Sequence, residues 1–210
     1  MIRILVADDH TVVREGVKQI LAGQSDMVVD GEAADGKETL EKALSGRFDL
    51  VLLDISMPGR GGLEVLEDIL KARPRLPVLI LSMHPEEQYA VRALRAGASG
   101  YLTKASAAHE LIGAIRKVSR GGKYVTTSLA EKLAVALDSK AEKKVHEKLS
   151  TREYQVMLML ASGKSVGEIA SELCLSVKTV STYRTRLMEK MGLSSNSDLT
   201  YYALKNQLID

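Results

Sequence analysis

Three aspartates, a serine and a lysine stand where short apolar runs end in the first half of a 210-residue chain. Asp8 and Asp9 follow Ile2–Ala7, Asp54 follows Leu50–Leu53, Ser82 follows Val78–Leu81, and Lys104 lies just past Gly100–Leu102. Carboxylates gathered at one point repel each other, and the stable answers are protonation or a bound cation. Oxygen ligands favour Mg²⁺, which keeps several waters and takes one or two carboxylates plus phosphate oxygens. An ammonium nearby can hold a phosphoryl oxygen as a point charge. A carboxylate can itself attack a phosphoryl group and become an acyl phosphate. The set therefore suits an aspartate that accepts phosphate, with Mg²⁺ and a lysine as electrostatic support. For any one of these aspartates the competing reading is a plain helix cap. The whole set at successive run ends favours a site.

Such a site needs a scaffold that brings the run ends together. The runs are Ile2–Ala7, Met27–Val29, Leu50–Leu53, Val78–Leu81 and Gly100–Leu102. Apolar residues at helical spacing lie between and after them, as in Leu63, Val65, Leu66, Ile69 and Leu70, and again in Leu111, Ile112, Ile115 and Val118. Strands alternating with helices imply an α/β domain, with a parallel sheet covered on both faces. Its sites lie beyond the carboxyl ends of the strands, near a switch in strand order. This domain is expected over residues 1–120. Residues 121–147 are expected to form an exposed linker, helical in part. There Gly121-Gly122 stops a helix, and Ser128 with Glu131 offers a capping box for a short helix from Leu129 to Leu137. The charged stretch Ser139–Lys144 follows. Residues 148–210 form a second, all-α domain. They contain no proline and predict four helices near 151–161, 165–173, 176–191 and 195–206.

Composition excludes several classes. With 45% hydrophobic and 27% charged residues, 16 Gly and 4 Pro, the chain is neither disordered nor collagen-like. A single cysteine, Cys174, excludes a disulfide framework and a Cys-rich zinc site, and it suits the cytoplasm. Two acids arrive too early at the N-terminus for a signal peptide. No apolar run approaches the ~20 residues of a membrane span, so no membrane association is expected. The net charge of +2 divides into −1 for residues 1–120 and +3 for the rest.

Residues 176–191 carry Lys178, Arg184, Arg186 and Lys190 against Glu189 alone. Ser176 is a candidate N-cap. Val177, Val180, Leu187, Met188 and Met191 form a stripe that faces a core. Lys178, Ser181, Thr182, Thr185 and Glu189 lie opposite, with Thr179, Tyr183, Arg184, Arg186 and Lys190 between the faces. Short polar side chains flanked by cations suit a helix laid in a major groove, against the plainer reading of a solvated face. Gly163-Lys164-Ser165 imitates the tail of a P-loop, but Leu158 stands where that motif needs glycine and no strand precedes it. Gly163 fits better as a C′ glycine ending one helix, with Ser165 and Glu168 capping the next.

These residues carry two resemblances. Asp8-Asp9-His10, Leu53–Gly59, Ser82 and Gly97–Lys104 resemble the receiver domain of two-component response regulators. Leu149–Glu153, Ala161–Ser165, Glu168–Ala170, Leu175–Val180 and Lys190–Leu193 resemble the LuxR-type helix-turn-helix. Together they resemble the NarL/FixJ family, with Thr179–Arg184 closer to the GacA/UvrY type and Tyr183 standing where many members have histidine. The resemblance implies a five-stranded parallel flavodoxin-like (CheY-like) receiver followed by a small four-helix DNA-binding domain. It implies Asp54 as phosphoacceptor, and Asp8, Asp9, Asp54 and the backbone carbonyl of Ser56 as the Mg²⁺ pocket. It further implies Lys104 as the phosphate-binding lysine and Ser82 with Tyr101 as the switch pair. Ser56 and His84, two residues after the acceptor and the switch hydroxyl, would tune the lifetime of the acyl phosphate. The DNA-binding set is Lys178, Thr179, Ser181, Thr182, Tyr183, Arg184, Thr185, Arg186 and Lys190. Leu199, Tyr202, Ala203 and Leu204 resemble the family's dimer contact. Many receivers have a cis proline after the lysine; Ala105 follows Lys104 here, and a cis bond without proline costs about 2.5–4 kcal/mol.

The implied partners are a sensor histidine kinase, double-stranded promoter DNA and a second copy of the chain when phosphorylated or DNA-bound. Phosphorylation would draw Ser82 toward the phosphoryl group and Tyr101 inward. An aspartyl-phosphate phosphatase of the haloacid dehalogenase type is an alternative, but it needs Asp-x-Asp on the first strand. A regulator that binds DNA without phosphorylation is another.

Overall fold

Leu50–Leu53 (β3) is apolar and buried at every position and lies at the centre of a parallel sheet. The full order is β2-β1-β3-β4-β5, with β1 Ile2–Ala7, β2 Met27–Ala33, β4 Val78–Ser82 and β5 Gly100–Thr103. These coordinates are a computed structural model that describes residues 1–131 and 144–209, and of Glu87 the backbone alone. Two units divide the chain, Met1–Leu137 and Asp138–Asp210.

In the first unit five helices follow the strands: α1 Thr11–Ala22, α2 Gly36–Ser45, α3 Gly62–Ala72, α4 Glu86–Arg95 and α5 Ala107–Ser119. Their apolar stripes supply the covering layers. Leu63, Val65, Leu66 and Ile69 of α3 are buried, as are Leu111, Ala114, Ile115 and Val118 of α5. On one face Ile4, Val6, Leu50, Leu52, Leu79, Leu81 and Leu102 meet Val17 and Leu21 of α1 and the stripe of α5.

The expected strands are present, with one clear difference. Met27–Val29 extends to Ala33, because the register shifts between Ile4 and Leu5 and Asp30 is left over as a bulge. Asp30 instead accepts from Arg3 Nε at 2.9 Å. An acidic bulge breaks the apolar run in the sequence without ending the strand.

Residues expected to form an exposed linker begin by packing on this unit. Tyr124 makes a β-bridge to Gly100, donates its N–H to Ser99 O at 2.8 Å and its phenol to Glu110 Oε2 at 2.7 Å. Thr126 Oγ1 reaches Glu86 Oε2 at 2.7 Å and accepts the Leu129 N–H at 3.2 Å. Residues 127–131 are already helical, so Thr126, not Ser128, caps that helix. The rest of the expected helix to Leu137 and residues 139–143 of the charged run lie outside the described residues.

The second unit holds a short 3₁₀ turn, Val145–Lys148, which the sequence did not suggest, and four helices near the expected positions. They are α6 Thr151–Ala161, α7 Val166–Glu172, α8 Val177–Met191 and α9 Asn196–Lys205. Ser150 with Glu153 and Ser165 with Glu168 form capping boxes. Gly163 is left-handed at φ +88°, and the following Lys164 N–H closes on Met159 O at 3.0 Å, as a C′ glycine allows. The Lys164 ammonium pairs with Glu172 at the far end of α7, not a P-loop arrangement. Val180, Leu187, Met188 and Met191 of the expected stripe are buried; Val177, in the first turn, is 57% exposed and belongs to the surface. Among the described residues no helix is long and apolar enough to cross a membrane.

Candidate functional site

β1 and β3 are neighbours, so their carboxyl ends bring Asp8 and Asp9 beside Asp54. The Asp54 N–H continues the ladder to Ala7 O at 2.9 Å. Asp8 and Asp54 are buried at 2% and 1% exposure, whereas the Asp9 side chain keeps 29%. Burying such charges is tolerable only with a counter-charge and full hydrogen bonding. Lys104, just past β5, supplies the charge: its Nζ lies 2.6 Å from Asp8 Oδ2 and 2.8 Å from Asp54 Oδ2. The other Asp54 oxygen accepts the Ser56 N–H at 3.0 Å. Burial alone would lower the Lys104 pKa, but the bonds and charges of Asp54 and Asp8 outweigh it and the net shift is upward. The Lys104–Ala105 peptide is trans.

The donor set fits a hard cation. Ligand atoms of Asp8, Asp9, His10 and Asp54 lie within 4.8 Å of one another. Asp8 Oδ2 and Asp9 Oδ1 are carboxylate oxygens shielded from solvent. The first lies 2.6 Å from Lys104 Nζ and the second 2.9 Å from His10 Nδ1. Oxygens in this state are what Mg²⁺ takes.

Ser82 is fully buried and its Oγ accepts the His84 N–H at 3.1 Å. Tyr101 is also fully buried, and its hydroxyl donates to His84 O at 2.8 Å. The ring thus lies inward, bonded to the residue that also donates to Ser82. The His84 imidazole reaches the loop after β3, with Nε2 3.1 Å from Ser56 Oγ, and packs on Tyr89 at 4.8 Å between ring centroids.

Three residues at this site carried no role in the sequence reading. His10 sits against both acidic side chains, 3.3 Å from Asp8 Oδ1. Arg14 donates to the Asp8 carbonyl at 2.7 Å. Gly62 opens α3 so close to the acceptor that an added Cβ would lie 2.1 Å from Asp54 O. Adjacency to Asp8-Asp9 and the Gly61-Gly62 pair were the available signals for His10 and Gly62. Nothing in the local pattern marks Arg14.

On the second unit, Ser176 caps α8 by accepting the Thr179 N–H at 3.0 Å. Lys178, Ser181, Thr182, Thr185 and Arg186 are exposed, while Thr179, Tyr183 and Arg184 are half-buried. Thr182 and Thr185 donate their hydroxyls back to Lys178 O and Ser181 O, at 2.9 and 3.1 Å, and so face outward with methyls and lone pairs. Two expected phosphate-facing cations are engaged. Arg184 donates to Asn196 Oδ1 at 2.9–3.0 Å. Lys190 lies 2.6–2.8 Å from the carboxylate of buried Glu153. Burial would raise the Glu153 pKa, but Lys190 and the Ser150 cap outweigh it and lower it. The dimer contact also needs correction. Leu199 and Ala203 are fully buried in the unit's own core, and the Tyr202 hydroxyl lies 2.9 Å from His146 Nδ1. What α9 turns outward is Tyr201, 67% exposed, and Leu204, 48%.

Comparison with known proteins bears on both units. Residues 4–116 match the response regulator receiver domain, and residues 147–203 match the bacterial regulatory proteins of the luxR family. The chain is 39% identical to the response regulator GacA of Pseudomonas viridiflava, over all of this chain and 99% of that one. It is 36% identical to UvrY of Escherichia coli K12, over 99% and 96%. A structure of two RcsB dimers bound to two parallel DNAs is 26% identical, covers 98% of each chain and has a TM-score of 0.60. The chain belongs to the NarL/FixJ family of response regulators, with a receiver domain followed by a LuxR-type DNA-binding domain.

Proposed function

We propose that this protein is a cytoplasmic transcription regulator that takes a phosphoryl group on Asp54 from a sensor histidine kinase and binds promoter DNA as a dimer. The observation that carries the proposal is the buried Asp54 carboxylate, one oxygen on the Lys104 ammonium and the other on the Ser56 N–H. One Asp54 oxygen attacks phosphorus. The bond from phosphorus to the kinase imidazole nitrogen breaks, and its electron pair stays on the ring. The product is an acyl phosphate. Lys104 holds a phosphoryl oxygen, and Ser82, which accepts from His84, keeps its own hydrogen to donate to another. Asp8, Asp9, Asp54 and the Ser56 carbonyl would hold Mg²⁺, which when bound offsets the charge developing on the phosphoryl oxygens. Family membership and the adjacency of Asp8 and Asp9 leave the phosphatase alternative without support.

His84 is assigned a role in acyl-phosphate lifetime, because its ring spans from α4 to Ser56. His84→Ala keeps the backbone bonds to Ser82 and Tyr101 and removes the ring alone. Loss of one such contact, about 1 kcal/mol, should speed decay of the acyl phosphate about fivefold. An unchanged decay rate of the labelled protein would remove this role.

On the DNA side, RcsB is seen as dimers on DNA, and two-fold pairing suits a single small helix-turn-helix here as well. The outward surface of α9, Tyr201 and Leu204, is the assigned pairing contact in place of Leu199 and Ala203. On α8, Lys178 and Arg186 are the cations free for phosphates, and Thr182 and Thr185 can accept from base amino groups or meet a thymine methyl. Lys178→Ala should weaken binding to every sequence and lower the salt slope by about one. Thr182→Ala should instead change base preference, by about 1–3 kcal/mol at one position. A titration series over salt and over single-base variants separates them; equal losses on every sequence for both would refute this assignment of the face. The whole proposal is tested by genome-wide footprinting with and without a phosphodonor, comparing wild type with Asp54→Ala. Occupancy that rises with the donor in wild type alone supports it, and equal occupancy in all four samples overturns it.

A further inference from the structure

Asp8 lies one residue past β1, where the ladder no longer serves its carbonyl. Its N–H still pairs with Ala33 O at 3.0 Å, and its carboxylate Oδ1 accepts the His10 N–H at 2.9 Å. The carbonyl in between is satisfied by a side chain. Arg14, one turn into α1 and 14% exposed, places NH1 2.7 Å from Asp8 O. The same guanidinium places NH2 3.2 Å from Thr11 Oγ1 and Nε 3.0 Å from Glu32 Oε2. Glu32 is in turn fixed to the scaffold. Its other carboxylate oxygen meets Lys18 Nζ at 2.5 Å, and its carbonyl accepts from Lys42 Nζ at 2.5 Å. A planar fork with several donors is therefore clamped between β2, the start of α1 and the turn that carries Asp8 and Asp9.

We infer that Arg14 is a positioning residue for the acidic pocket: by tying the Asp8 carbonyl to Glu32 it holds the Asp8-Asp9 turn in the shape that binds a divalent cation. The inference rests on the reading of that pocket as a Mg²⁺ site. The Arg14 guanidinium meets the Asp8 carbonyl, Thr11 and Glu32, and acts on the pocket through the turn. Groups that orient metal ligands from behind commonly change metal affinity about 10–100-fold when removed. Lysine cannot replace it, since a single ammonium lacks the fork that reaches Asp8 O, Thr11 and Glu32 together.

Calorimetric titration of the full chain with Mg²⁺ alone tests this without any phosphodonor. Arg14→Ala should bind Mg²⁺ about tenfold more weakly than wild type. Arg14→Lys should remain weak although its charge is kept, and Glu32→Gln, which leaves Arg14 in place but loosens its anchor, should fall between. Glu32→Gln also carries the test if Arg14→Ala fails to fold. A lower melting temperature for Arg14→Ala with wild-type Mg²⁺ affinity would make Arg14 merely structural and overturn the inference, as would full recovery in Arg14→Lys. A wild type that takes up no Mg²⁺ would overturn the pocket reading itself, and this inference with it.

Discussion

Asp54→Ala should take up no phosphoryl group from acetyl phosphate, while the wild type gains one per chain. Attack needs a carboxylate oxygen at the end of β3; Asp8 is buried and held much as Asp54 is, but it stands at the end of β1 and is assigned, with Asp9, to the cation. Asp8 is bonded to the His10 N–H and paired with Lys104, and Asp9 lies against His10. The variant should still fold. Lys104 keeps Asp8 as its partner at 2.6 Å, and one of two facing buried negative charges is gone. Intact mass after incubation with the donor gives the result directly. Stoichiometric labelling of Asp54→Ala would place the acceptor elsewhere; a second and further turnover of a generic phosphomonoester by wild type would indicate a phosphatase.

Lys104→Ala should have the second largest effect, and on two properties at once. The lysine side chain is 8% exposed and faces two carboxylates that are 2% and 1% exposed. Removing it leaves buried negative charge without compensation, a loss of about 3–5 kcal/mol when no divalent cation is present. Added Mg²⁺ should restore part of that melting temperature, because a cation would again sit among the carboxylates. Phosphorylation by acetyl phosphate should slow by about 10²–10³-fold even with Mg²⁺, as for loss of one preorganised donor to a developing oxyanion. The pH dependence has a definite sign. The Lys104 pKa is raised above 10.5, so its contribution is complete below that value and is lost only as pH climbs through the raised one. A Lys104→Ala protein that melts as wild type does in the absence of Mg²⁺ and is labelled at the wild-type rate would contradict the geometry of the pocket.

The features that were legible in the sequence share a physical cause. β3 and the strand ends are read easily because buried parallel strands are continuous apolar runs, and the acids at their ends interrupt them sharply. Ser176 and the Ser165–Glu168 box are local, within one helical turn, so spacing alone finds them. What stayed hidden depends on contacts between distant segments. Asp30 looks like the end of β2 because a bulge is defined by its partner strand. Lys190 and Arg184 look like free cations until Glu153 and Asn196, 37 and 12 residues away in sequence, fold against them. Leu199 and Ala203 form an apolar stripe whether it faces a second copy or the unit's own core, and only burial tells the two apart. Arg14 and Gly62 act on backbone atoms, which leave no pattern of residue types to recognise.

Tyr101 lies inward and donates to the His84 carbonyl, and Ser82 accepts the His84 N–H, so the two switch residues meet at one position. The turn Ser82–His84 touches the acceptor loop through the imidazole and Tyr101 through its backbone. Moving a domain from 1% to 99% active needs about 5.5 kcal/mol of preference for the active state. A few charge-assisted bonds to a phosphoryl group on Asp54 are of that order.

The central claim is that a phosphoryl group on Asp54 controls DNA binding, and promoter affinity of the purified chain tests it most directly. Affinity would be measured with and without acetyl phosphate, at one fixed salt concentration, for wild type and Asp54→Ala. Binding should tighten on addition of the donor for wild type and stay unchanged for Asp54→Ala. Asp54→Ala binding as tightly as phosphorylated wild type, or a wild type indifferent to the donor despite full labelling, would contradict it.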